Sequence, residues 1–521
     1  MAISNSIDNF QMTVNQAFVQ KAEALIPELI RTPVSPVRLV EIVPAGEDYA
    51  AAEKAPAAAL TDLPLGRGDR ICLDFGDHRV GYLSFTLSPV GSPPDAPAFL
   101  RLKFGEIPYE IAADSANYKG SLSKSWIQEE FLHVDVLPAT VKLPRRYAFR
   151  YLEIEVIDTS PKYRVVLGDV LCESVSSADP GKVTPLKTTD PELIALDRIS
   201  LKTMQDCMQS VFEDGPKRDR RLWIGDRRLQ ALTNYGTFKN CDLVKRCLYL
   251  FAGLTQNEGR VGSCLFIEPK LQVDDTALYD YALFFVSCLY DYYKATGDVE
   301  TLRELFPTAD RQIDLAAQEL DGRNIVRDRD TWWCFLDWAD GLNKQAGAQA
   351  VLIYTLKQAI SMAHELGEKK RAAEYELLCE EVTAGAMELW DEKQGFFVSG
   401  ADRQVSWASQ VWMVLAGVFD REKNAALLRH LMEQTPEVGM VTPYMFHHFV
   451  EALFRSGLDD LAVAQMKAYW GEMVRDGAHT FFELYDPRNK YVSAYGDRMI
   501  NSFCHAWSGT PAYFIRKYLD R

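Results

Sequence analysis

Two textures of apolar and polar positions divide the chain. From Val37 to about Ser177, short runs alternate residue by residue, as in Arg70-Ile-Cys-Leu-Asp-Phe75, Val80-Gly-Tyr-Leu-Ser-Phe-Thr-Leu87, Ala98-Phe-Leu-Arg-Leu-Lys-Phe104, Phe131-Leu-His-Val-Asp-Val136 and Tyr151-Leu-Glu-Ile-Glu-Val-Ile157. Period-two alternation bounded by Gly, Pro and Asp predicts half-buried strands. Strands joined by turns, with few helices, predict an antiparallel β-sandwich. Ahead of them, Val14 to Ile30 is amphipathic and reads as one helix, stopped by Pro33 and Pro36. Ser174 to Lys187, with Pro180, Gly181 and Pro185, reads as a linker.

From Asp190 the apolar period becomes helical. Segments near 190–212, 228–252, 277–296, 300–320, 345–366, 370–391, 405–419, 421–434, 443–457, 459–475 and 507–519 give eleven or so helices. They show neither heptads nor the 20–50-residue period of a solenoid, so a closed (α/α)6 toroid is the expected all-α architecture. Such a barrel gathers its site from the loops at one end. The organisation expected is an N-terminal helical segment over 1–32, a β-sandwich over 33–185 and a helical barrel over 186–521.

Charge narrows the function classes. Acidic side chains outnumber basic ones, 73 to 57, for a net charge of −16. A general nucleic-acid or anionic-membrane binder needs the opposite sign, so a soluble enzyme acting on a neutral molecule is expected. The ten cysteines form no Cys-x-x-Cys pair, and several lie in apolar helical runs, which points to buried free thiols in a reducing compartment. The first ten residues lack the basic and apolar regions of a signal peptide, and no apolar run would span a bilayer, so cytoplasmic localisation is expected.

The chemistry concentrates in residues 213–228, Glu-Asp-Gly-Pro-Lys-Arg-Asp-Arg-Arg-Leu-Trp-Ile-Gly-Asp-Arg-Arg. Gly215, Pro216 and Gly225 make it a structured loop. Asp214, Asp219 and Asp226 alternate with guanidiniums around Trp223. Carboxylates hold hydroxyls and exchange protons, arginine sets a carboxylate's charge, and an indole covers an apolar sugar face. The ordinary alternative is a solvated charge cluster. Glycoside cleavage needs a second carboxylate from elsewhere. Glu483, among Phe481, Phe482 and Tyr485, is the best candidate, against the alternative of a helix N-terminal acid. His505 beside a Trp-Ser-Gly turn becomes a hydroxyl ligand in that setting. His447 and His448 read as structural. No metal-ligand spacing, phosphate loop or Gly-x-Ser-x-Gly elbow is present, so neither metal nor cofactor is expected.

The run from Asp214 to Asp226 closely resembles the signature of the α-L-rhamnosidases of glycoside hydrolase family 78. Weaker motifs follow in the family's order: Asp74-Phe-Gly76, Phe104-Gly-Glu106 and Phe149-Arg-Tyr151 in the strand region, then Asp280-Tyr281, Phe335-Leu-Asp-Trp338, Ser406-Trp-Ala-Ser-Gln410, Thr442-Pro-Tyr444, Thr480-Phe-Phe-Glu483 and Cys504-His-Ala-Trp-Ser-Gly-Thr-Pro511. The resemblance implies a β-sandwich before an (α/α)6 barrel and inverting hydrolysis of terminal α-L-rhamnosides. It implies Asp219 as general acid, Glu483 as general base, and Asp214 and Asp226 as sugar-binding acids. Many members carry Glu at the acid position; Asp219 is one methylene shorter. The calcium-dependent sugar-binding domain of larger members has no counterpart in the sequence. Rhamnose carries a methyl at C6, so an apolar wall from Trp333, Trp338 or Trp507 is expected, with Arg218 and Trp223 on the pocket floor and His505 on a hydroxyl. The partner is then a small-molecule or oligosaccharide rhamnoside, and a homo-oligomer is compatible with the sequence. Another glycosidase or phosphorylase on the same toroid, or a rhamnoside-binding protein without turnover, remains as an alternative reading.

Overall fold

The computed structural model describes residues 10–520; the expectation about a leader sequence falls mainly on residues 1–9, outside that range. The chain opens with β1 (Thr13–Val14) and α1 (Gln16–Glu23), whose first turn is capped by the Asn15 side chain. The single helix expected over Val14–Ile30 is therefore much shorter. Pro27 has no amide hydrogen to continue it, and the chain leaves as β2 (Ile30–Val34), which pairs with the sheet. The helix itself packs on the barrel.

The strand region contains β3 (Arg38–Ala45), β4 (Asp48–Pro56), β5 (Arg70–Gly91), β6 (Ala98–Gly105), the short helix α2 (Pro108–Ala112), β7 (Glu129–Val134), β8 (Ala139–Lys142), β9 (Tyr147–Asp158) and β10 (Tyr163–Ser176). All pairings are antiparallel. The long β5 pairs with β9 and β3 through its first half and with β10 and β8 through its second, so one hydrogen-bonded set closes into two layers. Alternate residues of both halves meet in one core, including Leu73, Phe75, Leu83, Phe85, Leu102, Phe149, Leu152 and Leu167. The register of β5 slips between Asp74 and Arg79, where Gly76 takes a φ of +78°. Asp74, fully buried, accepts from Arg150 at 2.8 and 2.9 Å and from Arg38 at 2.8 Å, and also receives the Gly76 amide, which fixes that bend.

The barrel follows as α3 (Pro191–Cys207), β11 (Leu222–Trp223), α4 (Ile224–Gly236), α5 (Cys241–Gly253), the short strands β12 (Leu254–Thr255), β13 (Cys264–Phe266) and β14 (Gln272–Val273), α6 (Tyr279–Thr296), α7 (Val299–Ala317), α8 (Gln345–Leu366), α9 (Lys369–Glu388), β15 (Trp390–Asp391), β16 (Phe396–Phe397), α10 (Trp407–Ala416), α11 (Arg421–Gln434), α12 (Pro443–Arg455), α13 (Asp459–Arg475) and α14 (Pro511–Phe514). The segment read as one helix over 228–252 is two. The chain turns at Thr237–Asn240, with Lys239 at a φ of +55° and the Asn240 side chain capping α5. Helices α4, α6, α8, α10 and α12 pack successively side by side, and α14 closes the ring back to α4; α3, α5, α7, α9, α11 and α13 form the outer layer. Inner helices are packed on every side, which is why α6 and α8 are apolar or small around most of their circumference. Among the described residues no helix is long and apolar enough to cross a membrane.

The N-terminal ends of α4, α6, α8, α12 and α14 gather at one mouth. Trp223 and Asp226 sit at the start of α4, Tyr281 at the start of α6, Phe335 and Trp338 ahead of α8, Tyr444 at the start of α12, and Trp507 ahead of α14.

Candidate active site

At this mouth lies a cavity of about 220 Å³ lined by Asp214, Arg218, Asp219, Trp223, Asp226, Trp338, Glu483, His505 and Trp507, nine of the ten residues singled out from sequence. The tenth, Trp333, is placed elsewhere. Its indole is buried against Tyr279 at a ring separation of 5.5 Å, and Nε1 donates to the Arg329 carbonyl at 3.1 Å. The neighbouring Trp332 faces the cavity instead. Adjacent loop residues point to opposite sides, and an unordered Trp-Trp pair gives no sign of which one turns inward.

The loop from Asp214 to Arg221 folds on itself. Asp214 N donates to Arg221 O, Arg221 N donates to Asp214 Oδ1, both at 3.0 Å, and Arg220 takes a φ of +61°. Gly215 is required by close approach: a Cβ there would stand 2.6 Å from Arg218 O and 2.8 Å from Ser502 Oγ. Gly225 is required likewise, because a Cβ would meet the Tyr281 ring at 2.4 Å. The glycines of the signature therefore let the loop and α4 press against the cavity walls.

Arg218 is the hub. Its guanidinium pairs with Glu483 Oε2, lies 3.6 Å from Asp219 Oδ1, donates through Nε to Ile500 O at 2.7 Å, and stacks over Tyr495 at 4.3 Å. Burial works against its charge, but Glu483, Tyr495, Asp219 and Asp214 outweigh burial and raise its pKa. Glu483 lies on the irregular segment after α13, not at a helix N-terminus. Tyr495 OH donates to its Oε1 at 2.9 Å, Ser502 N to Oε2 at 3.3 Å, and Trp507 Nε1 to its main-chain oxygen at 3.0 Å. Charged and neutral donors therefore converge on this one carboxylate and fix its orientation.

The other acids differ in exposure. The Asp219 side chain is 22% exposed, against 4% for both Glu483 and Asp226, so Asp219 is the more exposed of these three acids. Asp214 is held well above the ordinary carboxyl range by burial and then by the charge of Asp219. Asp226 is held high by burial, then by Asp214, Glu483 and Asp219. His505 stands between Asp226, at 3.7 Å from Nδ1, and Glu483, at 3.8 Å from Nε2. Burial and then Arg218 push its pKa well below the ordinary value, so the imidazole is neutral and has both donor and acceptor to offer.

Aromatic rings form the walls. Trp507 stacks on Phe335 at 5.8 Å and meets Trp338 edge-on at 5.2 Å, and Trp338 meets Tyr495 at 5.8 Å. The sequence reading missed Leu122, Arg221, Asp274, Thr276, Leu278, Tyr281, Phe335 and Tyr495 as lining residues. Tyr281 and Phe335 lay within quoted motifs. Their conspicuous neighbours prove to be scaffold. Asp280 accepts from the Phe335 and Leu336 amides, both at 2.9 Å, and Asp337 ties that turn to Thr442.

Comparison with known proteins accords with this geometry. Residues 36–174 match the glycosyl hydrolase family 78 α-rhamnosidase N-terminal domain, and residues 182–519 the bacterial α-L-rhamnosidase 6 hairpin glycosidase domain. No curated protein matches the chain. A rhamnosidase from Klebsiella oxytoca, solved with rhamnose bound, is similar at 49% identity and a TM-score of 0.96, over 98% of this chain and 99% of that one. A family 78 rhamnosidase of Bacillus sp. GL1 shares the fold at 21% identity and a TM-score of 0.74, over 89% of this chain and 49% of its own. The Streptomyces avermitilis α-L-rhamnosidase, complexed with L-rhamnose, shares it at 18% identity and a TM-score of 0.64, over 94% of this chain and 44% of its own. The chain belongs to the α-L-rhamnosidases of glycoside hydrolase family 78.

Proposed function

We propose that the protein hydrolyses terminal α-L-rhamnosides with inversion at the anomeric carbon, Asp219 acting as general acid and Glu483 as general base. The observation that carries this reading is the pairing of Arg218 with Glu483 in a cavity that also holds the more exposed Asp219. A base must be held in place, which Arg218, Tyr495 and Ser502 do. An acid must reach a leaving group that extends toward solvent, which suits Asp219, more exposed than Glu483 or Asp226. Glu483 takes a proton from a water as it attacks C1, while Asp219 delivers its proton to the departing oxygen. Asp214, its pKa raised by burial and then Asp219, Asp226, its pKa raised by burial and then Asp214, and neutral His505 are suited to hold sugar hydroxyls. Trp338, Trp507 and Phe335 offer the apolar wall that a C6 methyl needs, with Trp332 taking the place first given to Trp333.

A reducing, cytoplasmic setting fits the ten cysteines, nine of them buried and none set in a Cys-x-x-Cys pair. The decisive experiment follows the anomeric proton by NMR during early turnover of an aryl α-L-rhamnoside. β-L-Rhamnose should appear first and then mutarotate. Initial release of the α-anomer would make Glu483 a nucleophile and refute inversion.

A further inference from the structure

Beneath the catalytic loop, between barrel and sandwich, lies a buried cluster of charges. His78 comes from the β5 bend, Glu106 from the end of β6 and Glu110 from α2; Lys202 and Asp206 come from α3, and Lys217 from the acid loop. His78 Nδ1 meets Asp206 Oδ2 at 2.6 Å and its Nε2 meets Glu106 Oε1 at 3.1 Å. Lys202 Nζ donates to Asp206 Oδ1 at 2.7 Å. Lys217 Nζ sits 3.2 Å from Glu106 Oε2, donates to Glu110 Oε1 at 2.6 Å, and also donates to Asn501 O. Glu110 in turn receives the Glu106 amide at 2.6 Å. Burial opposes a charge on His78, but Cys504, Asp206 and Glu106 raise its pKa to about 10. His78, Lys202 and Lys217 thus balance Asp206, Glu106 and Glu110. His78, Asp206 and Cys504 also bring metal-ligand atoms within 4.8 Å of one another. Both imidazole nitrogens already face carboxylates, and the lysines complete the balance, so this is a closed ion cluster with no charge left for a cation.

One member reaches both halves of the proposed catalytic machinery. Glu106 Oε2 takes Lys217, next to Arg218 and Asp219, and also accepts the Phe503 amide at 2.8 Å. Phe503 follows Ser502, whose amide bonds the Glu483 carboxylate and whose carbonyl accepts from Glu483 N at 3.0 Å. We propose that Glu106, a residue of the sandwich domain, is a positioning residue for the hydrolysis: it clamps the acid-bearing loop to the segment that holds the base, and so sets how Asp219 and Glu483 face each other. The inference rests on the roles given above to those two residues. It assigns the sandwich a part in the chemistry, because without the sandwich Lys217 keeps the Asn501 carbonyl and the Phe503 ring but has no carboxylate.

The test compares two conservative variants at opposite ends of the cluster. Glu106→Gln and Asp206→Asn each remove one carboxylate from His78 and unbalance one buried lysine, so both should lower the melting temperature. Only Glu106 touches the catalytic loop and Phe503. With Glu106→Gln, kcat on an aryl α-L-rhamnoside should fall by about 10²-fold, the scale of an ångström-size misplacement, with KM within about twofold. Asp206→Asn should keep kcat within about twofold. Glu106→Asp, which keeps the charge, should recover part of the lost kcat, and it serves as the test variant if the glutamine form does not fold. Unchanged kcat in the Glu106 variant, or an equal loss in Asp206→Asn, would overturn the positioning role. Wild-type turnover of the same rhamnoside is the separate test of the proposed activity, so failure of one is not failure of the other.

Discussion

The carboxyl of Asp226 should cost the protein stability that Asn would return. The side chain is 4% exposed, in the first turn of α4, and its Oδ1 has no hydrogen-bond partner; His505 Nδ1 lies 3.7 Å from it. Burial, with Asp214, Glu483 and Asp219 behind it, raises its pKa well above 3.8. The sign follows from linkage. As pH rises past the unfolded value near 3.8, the unfolded chain releases this proton while the native state keeps it, so stability falls with rising pH until the native pKa is passed. Each tenfold difference in ionisation constant costs about 1.4 kcal/mol. Asn cannot ionise, and it puts an amide where one carboxyl oxygen already lacked a partner, so desolvation roughly cancels. Asp226→Asn should therefore raise the melting temperature at neutral pH by about 1–3 °C for each 1.4 kcal/mol relieved. The gain should shrink toward pH 4.5. In the proposed role the same change swaps a carboxyl for an amide on a sugar hydroxyl, and a hydrogen bond weakened by about 1.4 kcal/mol would lower kcat/KM by about 10-fold. Thermal unfolding of both proteins, without substrate, from pH 4.5 to 8 is the assay. A melting temperature that falls, or a gain that does not vary with pH, would refute the reasoning.

Other substitutions separate the roles. Asp219→Asn should lower kcat/KM by ~10²–10⁴-fold on rhamnosides with sugar or flavonol leaving groups, and far less on a nitrophenyl rhamnoside that hardly needs a proton. Asp214→Asn should lose similar factors on both, so the opposite pattern would reassign the acid. Trp332→Ala should raise KM because its ring lines the cavity, whereas Trp333→Phe should leave KM within about twofold and lower stability by roughly 1 kcal/mol through the lost Arg329 hydrogen bond. Steady-state kinetics together with melting temperatures distinguish the pair.

The fold was legible where packing is uniform. Alternation revealed the sandwich because its strands bury one face, and the long apolar helices showed because the inner ring is packed on all sides. Errors fell where one residue overrides a pattern. Pro27 ended the first helix although the amphipathic period ran on to Ile30. The run over 228–252 kept its period through a turn that Lys239 makes by adopting a positive φ, which lysine's side chain does not advertise. That one strand, β5, serves both layers of the sandwich was hidden as well, since it is a property of pairing and not of composition.

The site was legible to the extent that its chemistry and its geometry share a stretch of chain. Residues 214–226 hold three acids, the Arg218 hub and the two glycines whose missing side chains admit Arg218 O, Ser502 and Tyr281. The constraint and the function are written in the same thirteen letters. Trp332 and Trp333 show the limit, because side-chain direction in a loop is decided by tertiary neighbours such as the Arg329 carbonyl. Tyr495 shows another. A tyrosine in a loop rich in Gly and Ser becomes informative only once Arg218 stacks on it and Glu483 accepts its hydroxyl. Glu106 shows the deepest one. It reads as a lone acid closing a strand, and its burial is tolerable only because His78, Lys217 and Phe503 arrive from three distant segments. A buried carboxylate far from the motif is therefore the residue whose meaning depends most on the assembled structure, and the one whose substitution most directly asks whether the two domains act as a single catalyst.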